Sequence, residues 1–104
     1  ALAQGANVNA STSQGETALH IAVQVSNNLD LIDLLVKHGA NVNSSNQNGD
    51  TALLDAANLG KKRILSYLLS KGANRNHQNN SSNTALDLAK NAKREDIVKL
   101  LLTK

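Results

Sequence analysis

The triplet Thr-Ala-Leu begins at Thr17, Thr51 and Thr84, and Gly-Ala-Asn begins at Gly5, Gly39 and Gly72, so two motifs hold one phase at spacings of 34 and 33 residues. A period near 33 kept through nearly the whole chain marks a tandem array of one supersecondary unit. Each unit contacts mainly its neighbours, and a core forms only by stacking. The 104 residues therefore read as one domain: the tail of a preceding unit over 1–11, units over 12–45 and 46–78, and a closing unit over 79–104. An array of this kind points to binding through the surface that the stack presents.

Composition removes several classes of function. There is no cysteine, which excludes disulfides and thiolate metal sites. His20, His38 and His77 lie far apart without ligand spacing, so no metal and no cofactor is expected. The apolar runs are too short to span a bilayer, and no charged-then-apolar leader opens the chain. A reducing compartment is expected, cytoplasm or nucleus, or a host cytosol if the parent is a bacterial effector. Methionine is absent, and the chain reads as a segment of a longer protein. The net charge is +3 with scattered basic residues, and Tyr67 is the single aromatic residue. Single-stranded nucleic acid would have no stacking platform, so no nucleic-acid partner is expected. The fifteen asparagines fall mostly in turns, where this side chain bonds neighbouring backbone.

The unit from Gly15 to Asn43 shows the local grammar. Gly15 permits a tight turn, and Thr17 supplies a helix-start hydroxyl. Ala18, Leu19, Ile21 and Ala22 then form an apolar face at helical spacing. Ser26, Asn27 and Asn28 break it, and a second helix follows with Leu31, Ile32, Leu34 and Leu35 as its buried side. Gly39 ends that helix, with Lys37 and His38 suited to the negative end of the dipole. The pattern returns with Leu53, Ile64, Leu65, Leu68 and Leu69, then with Ile97, Val98, Leu100, Leu101 and Leu102. It predicts an all-α chain with helices near 17–26 and 29–38, 51–59 and 61–70, 84–92 and 94–103.

These residues resemble the ankyrin repeat. The family pattern G-x-T-P-L-H-x-A is met by Gly15-Glu-Thr-Ala-Leu-His-Ile-Ala22 with alanine for proline, and Leu54 and Asp87 stand at the place of His20 in the later units. The resemblance implies a solenoid of stacked helix-turn-helix units joined by hairpin-like loops. It also implies a structural histidine bonded to backbone and to the helix-start threonine. Ser26 is a one-residue insertion in a surface loop. Ser82 replaces the turn glycine of Gly15 and Gly49 and is expected to loosen or reshape the last hairpin. Lys90 stands where Val23 and Ala57 face the next unit, which marks a terminal cap, whereas Leu2 belongs to a helix whose start is missing. Further repeats are expected upstream in the parent.

No nucleophile, base and orienting group share a recognisable spacing, so no enzyme is expected. The resemblance implies a concave protein-binding face built from hairpin tips and exposed first-helix sides. By position its residues are Gln14 and Glu16; Gln47, Asn48 and Asp50; Asn80; and, on the helices, Gln24, Val25, Asn58, Leu59 and Asn91. Val25 and Leu59 are its candidate apolar anchors. Tyr67 is assigned to packing in a second helix. A second surface, the basic rim Lys61–Arg63 with Lys90 and Lys93–Arg94, would suit an acidic partner or anionic lipid. The module is expected to be monomeric. Three host settings stay open: an adaptor, scaffold or effector that recruits a protein; the ankyrin block of an Arf GTPase-activating protein, which Ala1–Asn9 and Glu95–Leu102 resemble; and a structural spacer in a longer array.

Overall fold

Each repeat opens on a threonine hydroxyl. Thr17, Thr51 and Thr84 hold extended backbone and accept from the N–H of the third helical residue of α1 (Ala18–Val25), α3 (Ala52–Leu59) and α5 (Ala85–Asn91). Such caps contribute about 1 kcal/mol each. The second helices are α2 (Leu29–Lys37), α4 (Lys62–Ser70) and α6 (Glu95–Leu102). At the end of α2, Gly39 donates to Val36 and Ala40 to Leu35, and Gly72 and Ala73 repeat these bonds to Leu69 and Leu68. This computed structural model describes residues 9–26 and 28–102. The expected tail over 1–11 lies mostly outside that range. The six helices fall within two residues of the expected bounds, and among the described residues the only extended pairing is one bridge, Ser11 with Thr17.

First helices pack on first helices and second on second. The shared core is built of apolar side chains: Leu19, Ile32, Leu53, Leu65, Leu68 and Ile97 are essentially fully buried. Val23 and Ala57 are buried where one repeat meets the next, while Lys90 in the same place is exposed. Five residues assigned to the buried faces are not buried, Leu102 among them at 65% exposed. Ala18, Ile21, Leu31 and Leu34 of the first repeat are exposed, because they lie on the side of α1 and α2 that a preceding repeat covers in the later units.

Polar side chains pin one repeat to the next at a constant place. Asn9 donates through Nδ2 to the Gly39 carbonyl and accepts through Oδ1 from Asn41 N–H at 2.7 Å; Asn43 does the same to Gly72 and Asn74. Asn46, Asn74 and Asn79 also accept from backbone two residues on, as turn chemistry requires. Across the α2–α4 seam the Tyr67 hydroxyl donates to Asp33 Oδ1 at 2.6 Å. Burial and that bond push the phenol up to about 12. The same bond, then Lys37, holds the Asp33 carboxyl below its usual range.

The expectation for Ser82 is corrected. Its φ is 65°, close to the 79° and 78° of Gly15 and Gly49, and its N–H closes the same turn onto Asn79 at 2.9 Å. The hairpin keeps its shape, and the serine bears the left-handed backbone at about 1–2 kcal/mol. Glycine is demanded twice over at Gly49: an added Cβ would stand 2.8 Å from the Asn80 nitrogen of the next hairpin. Gly60 is crowded likewise by the Arg94 side chain, 2.9 Å from such a Cβ. Lys93, its counterpart in the third repeat, again has positive φ, 59°.

A candidate protein-binding groove

The hairpin tips run on from repeat to repeat as one strip. Gln47 N–H donates to Gln14 O and Asn80 N–H to Asn48 O, both at 2.9 Å, and Asn80 Nδ2 donates to Gln47 O at 2.8 Å. Side chains of Gln14, Gln47, Asn48 and Asn80 are exposed along this strip. Beside it lie the solvent sides of α1, α3 and α5. Gln24, Asn58 and Asn91 form one row, each seven residues after its threonine, and all three are exposed. Val25 and Leu59 follow in the next row, 75% and 40% exposed. The residues named for the concave face thus recur at equivalent places in successive repeats.

Several of those residues already have work inside the fold, Gln24 and Asn80 among them. Glu16 accepts from Gln24 Nε2 at 3.1 Å and from Asn46 Nδ2 at 2.9 Å. Asp50 accepts from Asn79 Nδ2 at 2.9 Å, and its carbonyl lies 2.8 Å from His20 Nε2. The His20 ring is buried and takes the Thr17 N–H on Nδ1 at 3.2 Å, with the Thr17 hydroxyl 2.9 Å away. A backbone N–H can only donate, so Nδ1 accepts and Nε2 carries the hydrogen offered to Asp50. This histidine is structural, as the resemblance implied. Asp87, at the same place in the third repeat, accepts the Thr84 N–H at 3.1 Å.

Sequence reasoning missed Asp55. Its partner is Gln24 of the preceding repeat, whose Nε2 is 3.1 Å from Asp55 Oδ2. Burial raises the Asp55 carboxyl to about 6 against the pull of that hydrogen bond, and Asp50 and Glu16 nearby add to the rise. Laying the repeats in phase gives the signal: Asp55 occupies the place of Ile21, in the row beside Gln24 and Asn58.

The basic rim is also reorganised. Lys61 and Arg94 stand ten residues after Thr51 and Thr84, and each reaches back to the end of the preceding first helix. Lys61 Nζ donates to Ser26 O at 2.9 Å and Gln24 O at 3.5 Å, and Arg94 Nε to Asn58 O at 3.4 Å. Cations there meet the carbonyl end of a helix. The Ser26 insertion is therefore gripped by its neighbour, not merely tolerated. Lys62, Arg63, Lys90 and Lys93 remain exposed.

Among the described residues no group of three or more histidine, cysteine, aspartate or glutamate side chains could hold a metal ion, and no helix is long and apolar enough to cross a membrane. A stack of helix pairs, each opened by a threonine cap and joined by a continuous hairpin strip, is the architecture of an array built from one repeated unit. A family model for ankyrin repeats (3 copies) matches residues 1–46 and 19–104. The chain belongs to the ankyrin-repeat family, whose members are generally protein-protein interaction modules and typically non-catalytic. No curated protein is significantly similar to it.

Proposed function

We propose that the chain is a non-catalytic recruitment module that holds a segment of a protein partner along the hairpin strip and the exposed sides of α1, α3 and α5. The observation that carries this reading is the pair Val25 and Leu59, exposed apolar side chains at equivalent places on adjacent helices. Both can be desolvated without stranding a charge. Asn58 and Asn91 beside them both donate and accept, which suits a peptide backbone, and Gln24, whose Nε2 is given to Glu16 and Asp55, offers its side-chain oxygen. The basic rim is a weaker surface, since Lys61 and Arg94 are committed to carbonyls of the neighbouring repeat. The test compares proteins captured by the chain, by Val25→Gln/Leu59→Gln and by Lys62→Glu/Arg63→Glu. A partner retained by the chain and the rim variant but lost from the groove variant supports the proposal. Loss only from the rim variant moves the site.

A further inference from the structure

Of the fifteen asparagines, one, Asn48, precedes a glycine. Among the described residues most of the others have their carboxamides tied into the fold. Asn46 and Asn79 hold turn backbone, Asn43 reaches the next repeat, and Asn80 Nδ2 donates to Gln47 O. Asn48 is exposed, and its carboxamide bonds no other described residue. The remaining unbonded carboxamides precede Leu59, His77, Thr84 or Ala92, whose side chains crowd the backbone nitrogen next to the asparagine. Gly49 brings no such bulk. The tip is nevertheless held at this point. Gly49 has left-handed backbone, φ 78°, and its N–H donates to Asn46 O at 2.9 Å, closing the turn, while Asn48 O accepts the Asn80 N–H of the next hairpin at 2.9 Å. The Gly49 nitrogen can therefore reach the Asn48 side chain only when the tip opens, and exposed tips open locally at far less cost than the core.

We propose that Asn48 and Gly49 form a self-modification site gated by their own turn, where the Gly49 nitrogen displaces the Asn48 carboxamide nitrogen and water then converts Asn48 to isoaspartate or aspartate. The Gly49 nitrogen gives up its proton and bonds to Cγ of Asn48. The carboxamide C–N bond breaks, and ammonia leaves. The resulting cyclic imide takes up one water. Opening at Cγ leaves aspartate. Opening at the main-chain carbonyl leaves isoaspartate, in which the chain runs through Cγ and is longer by a methylene. That carbonyl is the one that accepts the Asn80 N–H. As a side-chain carboxylate it is no longer held by the turn, so the seam between the second and third hairpins loosens. Either product also places a negative charge on a strip whose Gln14, Gln47, Asn48 and Asn80 carry none.

The test ages the purified chain at mildly alkaline pH and body temperature, maps its peptides by mass, and reads isoaspartate by enzymatic methyl transfer. Deamidation at position 48 should outrun that at every other asparagine by about tenfold, yet run about tenfold slower than in a free peptide of residues 44–53, because the tip must open first. Asn48→Gln, whose longer side chain would have to close a larger ring, should remove the signal at this position. Amide exchange at Asn80 should be faster in the isoaspartate form than in fresh protein. Another asparagine reacting first, a silent position 48 while the peptide reacts, or a rate equal to that of the peptide would overturn the proposal.

Discussion

Asp55→Asn should stabilise the protein at neutral pH and leave it nearly unchanged in acid. Burial, the largest cause, lifts the Asp55 carboxyl from 3.8 to about 6. The folded state therefore favours the protonated form. Its stabilising contribution is fully present below pH 3.8 and is lost as pH rises through about 6. A shift of about two units is worth about 3 kcal/mol, and partial contact with solvent reduces that to about 2 kcal/mol. Asparagine keeps an oxygen for Gln24 Nε2 and carries no charge to desolvate. Urea unfolding of the chain and of Asp55→Asn at pH 4, 5, 6 and 7.5 reads the effect as a difference. Other carboxylates, including Asp33, cancel in it. The advantage of the variant should grow between pH 4 and 7 and level off above. A flat difference, or a variant that loses ground as pH rises, would refute the burial argument.

Leu53→Ala or Leu68→Ala should destabilise by about 2–5 kcal/mol in chemical denaturation, because each is fully buried between repeats; a loss below about 0.5 kcal/mol would mean the faces are misassigned. Gly49→Ala should lower the thermal midpoint, since its added carbon meets the Asn80 backbone at 2.8 Å. Ser82→Gly should raise the midpoint by relieving a left-handed serine worth about 1–2 kcal/mol. A higher midpoint for Gly49→Ala or a lower one for Ser82→Gly would overturn the reasoning about what presses on each turn.

The helices were legible because Thr17, Thr51 and Thr84 mark their starts and Gly39 and Gly72 their ends, all through local bonds. Burial was less so. Leu31 and Leu34 carry the same apolar period as Ile64 and Tyr67, and a helical period cannot report whether a neighbour stands opposite. The groove residues were placed by phase alone, and phase also governs Asp55 with Gln24 and Lys61 with Ser26. Those pairs went unread because each joins different places in successive units, so comparing like with like never brings them together. Ser82 departs from the expectation because losing the glycine does not change the turn: the turn's hydrogen bonds hold the backbone against a modest strain.

The most direct measurement of the groove uses a photocrosslinking residue placed at position 25, at position 59 or at position 63 in a partner complex. Positions 25 and 59 should both crosslink to neighbouring places on one partner segment, because stacking sets Val25 and Leu59 in one row, and position 63 should give none. Crosslinks at 63 with silence at 25 and 59 would contradict the account.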